Sequence, residues 1–151
     1  MLPYEINVPF WSDYAVKDRY VALPKGAQVK FDAKEKWEFP VGTVFIKTFW
    51  MHHDRTDWSD AKRLETRLLV STAEGWNGYT YRYDDDQQEA HLVAADGDRA
   101  NLTIRTDAGD VQQAYYFPSR ADCLSCHTKQ EGFVLGLNTR QMNRELHTTA
   151  R

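Results

Sequence analysis

The sequence lacks long apolar runs, an excess of basic charge and repeated segments. No stretch approaches 18 consecutive apolar residues, and this excludes a membrane-spanning helix. The formal net charge is −3, from 19 Lys and Arg against 22 Asp and Glu, so nothing indicates a nucleic-acid-binding surface. The first residues, Met1 to Tyr4, have neither the basic nor the apolar region of a signal peptide. We therefore expect either an exported protein without its signal or one module of a longer chain.

Cysteine is also scarce, whereas aromatic residues are abundant. The two cysteines are too close in sequence to close a large loop, so a disulfide between them would contribute little stability. Five Trp, eight Tyr and seven Phe among 151 residues supply apolar area for a core or an aromatic-lined pocket. The length fits a single domain spanning residues 1–151.

The residue pattern predicts a strand-rich chain. Runs of β-branched and aromatic residues alternate with turn residues, and no long helical segment separates them. The expected strands are 28–31, 43–49, 63–71, 79–83, 101–106 and 111–117, with a hairpin turn at 107–110 and short helices at 13–21, 84–93 and 139–147. Consecutive strands of this kind favour an α+β fold, mainly an antiparallel sheet with a few short helices.

Alternation along residues 43–49 gives one unusual face. Phe45, Lys47 and Phe49 lie on the same side of the expected strand. An exposed edge explains them if the lysine stem covers the rings. The functional interpretation is a lysine at the rim of an aromatic pocket.

The segment Cys123-Leu124-Ser125-Cys126-His127 matches the attachment motif of c-type haem. Two thiols add to the two vinyl groups at one edge of the macrocycle, and two intervening residues let one turn of chain span that edge. The adjacent His127 supplies the proximal nitrogen ligand of the iron. We expect one covalent haem c, attached through Cys123 and Cys126 by a late loop near the C-terminus.

Three other interpretations of these residues stay open at this stage. A zinc site needs a fourth ligand, and the usual second pair is missing. A thioredoxin-like redox pair belongs between a strand and a helix of a βαβ fold, which the segment 118–122 fits poorly. A non-haem domain with a merely structural cysteine pair is the third.

The second axial ligand decides much of the function. Two strong protein ligands favour electron transfer, whereas an open iron favours binding of small molecules. Met51, His52 and His53 begin a polar insertion between two expected strands and are our first candidates as metal ligands. The other candidates are Met142, for which packing is the better interpretation, and His91 and His147, which read as surface histidines.

Four charged residues extend the candidate site. Asp13, Arg19, Glu65 and Arg67 could be buried and either pair with each other or hold the haem propionates, since arginine suits a bidentate carboxylate contact; the other interpretation is ordinary surface ion pairing. We favour surface pairing for each residue taken singly.

Two family resemblances accompany these motifs. Residues 39–47, FPVGTVFIK, together with the late haem motif, resemble the cytochrome c-prime-beta family and its lysine-cross-linked, hydroxylamine-oxidising relatives. In those relatives a strand lysine bonds covalently to the haem, and the resemblance implies this role for Lys47. Phe45 and Phe49 would then be the cofactor-binding aromatic residues on the same strand face. Residues 4–20, 65–69, 75–81 and 118–127 are similar to a family of poorly characterised bacterial exported domains that accompany dehydrogenase-like or cytochrome modules. The second resemblance is the closer one and implies haem binding and electron transfer.

The functional expectation is a periplasmic or extracellular monohaem c-type cytochrome domain. It would exchange electrons with a redox partner such as a dehydrogenase or another cytochrome, without nucleic acid and without a transmembrane span. An electron carrier is favoured over an enzyme. The alternative is a five-coordinate haem protein or enzyme acting on NO or hydroxylamine.

Overall fold

In a computed structural model, which describes residues 1–57 and 59–145, the chain forms eight strands and two short helices. The elements of this described part are β1 (Leu2–Pro3), β2 (Val16–Ala22), β3 (Val44–His52), β4 (Ala61–Thr72), β5 (Gly75–Tyr83), β6 (Ala90–Leu92), β7 (Asp98–Thr106), β8 (Gly109–Phe117), α1 (Arg120–Cys126) and α2 (Thr139–Met142). The expected mainly antiparallel fold with a few short helices is confirmed. No helix within the described ranges is long and apolar enough to cross a membrane.

Strands β1 to β6 form one antiparallel sheet in their sequence order, and β7 pairs with β8 as a separate hairpin. Short turns suffice for this meander because antiparallel neighbours need no crossover connection. The central strands β3 and β4 are bordered by β2 on one side and β5 on the other. The expected hairpin turn at 107–110 is confirmed, with Thr106 opposite Gly109.

The helix expected at residues 13–21 is wrong, because β2 occupies most of this range. Seven residues of β2 pair with β3, and their alternating side chains contribute to the sheet face. Asp13 and Tyr14 have φ angles of 49° and 67°, so they form a left-handed turn rather than the first turn of a helix.

The helix expected at 84–93 is also wrong. The chain turns after β5 and returns as β6, held by hydrogen bonds from Asp84 N to Glu89 O and from Gln87 N to Asp84 O. The strand expected at 28–31 is reduced to a single bridge between Lys30 and Glu38. Helix α2 ends at Met142, well before the predicted limit at residue 147.

One face of the sheet carries two separate cores. At one end, Val21, Phe45 and Leu69 pack against residues near both chain ends, among them Tyr4 and Leu137. The β7–β8 hairpin covers the other end through a second cluster: Met51, Leu64, Val93, Ile104, Tyr115 and Phe117. The same sheet face is left to line a cavity between these two cores.

A β-bulge shapes the boundary between the cores. The pairing register of β3 and β4 shifts between Phe49 and Trp50, because Phe49 pairs with Glu65 while Trp50 pairs with Arg63. Leu64 is thus the extra residue on β4. Leu64 and Glu65 are consecutive and both buried, which regular strand alternation would not allow.

Candidate functional site

Helix α1 carries both cysteines, so the attachment motif lies on a helix and not in the expected loop. Ser119 caps the helix: its side chain accepts from Asp122 N, and the Asp122 carboxylate accepts from Ser119 N at 2.9 Å. This reciprocal capping box satisfies two of the N–H groups that a short helix otherwise leaves unpaired. Cys123 and Cys126 are three residues apart and share one side of α1.

Gly78 lets helix α1 approach strand β5. A Cβ atom at Gly78 would lie 2.4 Å from the Cβ of Cys123 and 2.7 Å from its Sγ. Side chains do not tolerate such separations, so only glycine fits beneath Cys123. The absent side chain at this interior strand position fixes where the thiol sits.

His127 caps the C-terminal end of α1 and is oriented by the loop that follows. Its Nδ1 lies 2.6 Å from the carbonyl oxygen of Phe133. With Nδ1–H as donor, Nε2 keeps its lone pair, which is the state that a metal-ligating histidine needs. Gly132 and Phe133 both have left-handed backbone angles, with φ of 65° and 62°, which turn the Phe133 carbonyl back toward the histidine.

Cys123, Cys126 and His127 all line a single cavity of ≈ 370 Å³. The opposite wall is the sheet face described above, and Phe10 and Trp11 from the segment before β2 stand at its margin. The structure brings the three motif residues together with Phe45, Lys47 and Phe49 from β3. This volume lies within the range of small-molecule and cofactor pockets.

Aromatic rings form the apolar part of the wall. Phe45 is buried and stacks against Trp76 with 5.9 Å between ring centroids. Phe49 has the Arg67 guanidinium 4.2 Å and the Lys17 Nζ 5.4 Å from its ring centroid. A flat apolar ligand with polar edges is the chemistry that such a wall suits.

A row of cations crosses the middle of this wall. Arg19 on β2 pairs with Lys47 on β3, and Lys47 pairs with Arg67 on β4. Like charges directly opposite each other destabilise a sheet, so this arrangement favours an anionic group in the cavity. Lys17, also on the lining, adds a fourth positive charge.

One buried carboxylate, that of Glu65, partly compensates these positive charges. Glu65 is fully buried, and its carboxylate accepts from both Nε and Nη2 of Arg67. The Tyr115 hydroxyl donates to the same carboxylate at 2.7 Å. Glu65 and Arg67 therefore form a bidentate pair with a buried carboxylate and a partly exposed guanidinium, and not the surface ion pair that the sequence favoured. Asp13 is exposed and does not belong to it.

Burial shifts the ionisation of several groups facing the cavity. The pKa of Lys47 is lowered to about 8, first by burial and then by the charges of Arg19, Lys17 and Arg67. Burial lowers the pKa of His127, and burial raises the pKa of the Cys123 thiol. A redox-active thiol of the thioredoxin kind needs the opposite shift, toward the thiolate.

The three expected distal ligands lie elsewhere among the described residues. Met51 is 1% exposed and packs in the core beneath the β7–β8 hairpin. His52 ends β3, and His53 lines a separate polar pocket with Asp54, Asp60 and Arg105. None of Met51, His52 and His53 belongs to the described lining of the cavity that holds His127. The hairpin covers the end of the sheet from which they extend.

The remaining candidates are also away from the cavity lining. Met142 packs against the core cluster that contains Phe45 and Leu137. His91 is exposed, with its Nε2 2.9 Å from the Asp84 carboxylate. His147 falls outside the described residues.

Sequence reasoning missed three residues that shape the site. Gly78 sits inside a strand, a position that often marks close approach of another backbone, and this feature could have indicated its contact with Cys123. The carbonyl of Phe133 had no such indication, because a backbone acceptor depends on the path of the loop. Lys17 gave no sequence sign of facing the cavity either.

The geometry separates the possible interpretations of the cysteine pair. Within residues 1–57 and 59–145, the three-residue group with metal-ligand atoms within 4.8 Å of one another is the exposed Asp84, Glu89 and His91. The three motif residues are not gathered as a zinc centre would need. The antiparallel sheet also lacks the βαβ setting of a thioredoxin-like pair.

Comparisons of the chain with protein-family models, curated proteins and solved structures find no match. The residues of the site fit a covalent haem: two thiols on one side of a helix, an oriented imidazole, an aromatic wall and cations suited to carboxylates.

Proposed function

We propose that this protein is a monohaem c-type cytochrome domain that transfers electrons to or from a redox partner protein. The observation that carries this proposal is that Cys123, Cys126 and His127 all line one cavity, with His127 Nδ1 hydrogen-bonded to the carbonyl oxygen of Phe133. The haem iron would supply a one-electron couple. A dehydrogenase or another cytochrome is the class of partner that we infer.

The chain's own residues divide the binding task. The thiols of Cys123 and Cys126 would form thioethers with the haem vinyl groups, and His127 Nε2 would be the proximal ligand. Phe45 and Phe49 would contact the apolar ring. Arg19 and Lys17, on β2 and three strands away from β5, would hold the propionates, because they offer cationic donors to carboxylates.

Exposure near the motif supports electron transfer. Cys126 is exposed, and Leu124 on the same helix is 40% exposed. Trp11, at the margin of the cavity, is 70% exposed. A haem joined to Cys126 would thus have an edge within reach of a docked protein. Covalent attachment takes place outside the cytoplasm, so we place the domain in the periplasm or outside the cell.

The test is expression in the periplasm with a haem-maturation system. We expect a red protein whose haem survives denaturing electrophoresis, and a mass that corresponds to one haem. Cys123→Ala combined with Cys126→Ala should abolish the haem stain, whereas Ser125→Ala, on the same helix, should retain it. A colourless wild-type protein, or a haem stain that survives loss of both cysteines, would overturn the proposal.

Electron transfer has its own measurement. A potentiometric titration should give a single reversible one-electron transition, with a reduced spectrum that carbon monoxide leaves unchanged. A spectrum that shifts at once with carbon monoxide would indicate an open iron. That outcome would favour the alternative, a protein acting on NO or hydroxylamine.

A further inference from the structure

One row of paired residues crosses the sheet, and its members on β4, β3 and β2 line the cavity. From β5 to β2 the paired residues are Thr80, Arg67, Lys47 and Arg19. Adjacent strands are about 4.8 Å apart, so the row extends over three such spacings. The two ends of this row have different chemistry.

The β5 end of the row lies next to the segment that carries the cysteine motif. Thr80 donates to the carbonyl of Pro118, just before α1, at 3.1 Å. Gly78, two residues earlier on the same face of β5, lies against Cys123. The β2 end instead presents the cations of Arg19 and Lys17. Haem has the same polarity: the vinyl groups and the propionates lie at opposite edges, with the iron between them.

Lys47 lies between these two ends and differs from its cationic neighbours. Arg67 is held by Glu65, and the Lys17 amine donates to the carbonyl of Phe10. In the described part of the chain, the Lys47 amine has neither a hydrogen-bond acceptor nor a carboxylate partner, and the acidic group that acts on it is the Cys123 thiol, which a thioether bond would remove. Leaving an ammonium unpaired beside the rings of Phe45 and Phe49 is unfavourable.

We propose that the Lys47 amine is the second axial ligand of the haem iron, opposite His127. The inference rests on the proposed function and adds to it the identity of the distal ligand. The amine loses its proton to solvent and donates its lone pair to the iron, with no change in electron count. Lys47 comes from the sheet and His127 follows α1, so the two ligands approach the cavity from different elements.

The experiment compares holoproteins by absorption and electron paramagnetic resonance. Wild type should be low-spin, with two nitrogen ligands and no response to carbon monoxide. Lys47→Ala should lose the low-spin signal and gain carbon monoxide binding. Lys62→Ala, a matched change of an exposed lysine on β4, should leave the wild-type spectrum unchanged.

A second variant distinguishes loss of the iron ligand from misfolding of Lys47→Ala. Lys47→Met keeps an unbranched side chain and places a thioether where the amine was. It should remain low-spin and gain the near-infrared absorption of a sulfur-ligated iron. This outcome requires residue 47 to reach the metal.

Three results would overturn the inference while leaving the covalent haem intact. The first is a wild-type spectrum that is high-spin, and the second is a Lys47→Ala protein that stays low-spin. The third is a denatured peptide in which residue 47 is bonded to the porphyrin, detected by mass spectrometry. A wild-type protein without any covalent haem would instead defeat the proposed function, and the inference with it.

Discussion

The imidazole of His127 and the carbonyl of Phe133 are 2.6 Å apart, six residues along the chain. The left-handed backbone at Phe133, with φ of 62°, makes this contact possible. The N–H of Phe133 also donates to Thr128 O at 2.8 Å, which closes the loop on itself. The orientation of the proposed proximal ligand thus depends on one backbone conformation.

Phe133→Pro should disturb this ligand. Proline fixes φ near −65° and has no N–H, so the loop cannot keep its conformation. Loss of an orienting acceptor typically weakens metal binding by about 10- to 100-fold. We expect imidazole to displace His127 at correspondingly lower concentrations in a spectroscopic titration. Phe133→Gly, which accepts positive φ, should stay close to wild type; equal effects of both variants would contradict the backbone explanation.

Gly78→Ala should weaken the docking of helix α1. The added methyl group would overlap Cys123, and overpacking of this kind costs about 1–3 kcal/mol. Urea unfolding should show that loss, and the yield of covalent haem should fall with it. Asn77→Ala, whose side chain leaves the strand on the other face, is the control. Unchanged stability and haem yield in Gly78→Ala would show that α1 shifts freely.

Glu65→Gln should destabilise the protein more than Tyr115→Phe. The first change leaves the Arg67 guanidinium uncompensated inside the wall, and since Arg67 is partly exposed we expect about 2–4 kcal/mol. The second removes one hydrogen bond to a charged group, about 1.5–3 kcal/mol, while the ion pair persists. Chemical denaturation of each apoprotein measures both. The reverse ranking would contradict this account of the pair.

Lys17 should give the apoprotein a pH dependence of stability. Burial, and then the charges of Arg19 and Arg67, lower the pKa of Lys17 from 10.5 to about 8. Between these values the unfolded chain holds a proton that the folded chain has released, so stability rises with pH. Compared with Lys17→Met, wild type should gain stability from about pH 8 to pH 10. A constant difference between the two urea midpoints would refute the shift.

Other groups titrate over the same pH range. Comparing wild type with Lys17→Met cancels their contributions to the stability. The pKa values of Tyr4 and Tyr115 are raised by burial, so their unfolded forms ionise first and stability falls above about pH 10. The raised pKa of Cys123 acts in the same direction. Both effects are common to wild type and variant.

Local pattern was enough to predict part of the site. Alternation placed Phe45, Lys47 and Phe49 on one face, and the cavity lining contains all three. The cysteine and histidine spacing needed no tertiary information. The antiparallel sheet followed from strand-like segments without long helices between them.

The local residue pattern could not predict which residues pair across the strands. The row from Arg19 through Lys47 to Arg67 depends on the register of three strands, which no single segment specifies. The bulge at Leu64 and the covering hairpin assign Met51 to a core, although its place beside two histidines suggested a metal ligand. The helix predicted from capping residues at 13–21 was wrong because Asp13 and Tyr14 form a left-handed turn.

The contact between the first and last described segments has a consequence for protein architecture. Arg144 donates to the carbonyl of Ile6 at 2.8 Å and pairs with Glu5, while Asn7 donates to Arg140. A domain whose first and last segments are adjacent can be inserted into a surface loop of another protein without distorting that protein. It also tolerates circular permutation, with new ends cut at the exposed Asp107–Ala108 turn of the hairpin. The same unit is therefore suited to transplantation as a cassette.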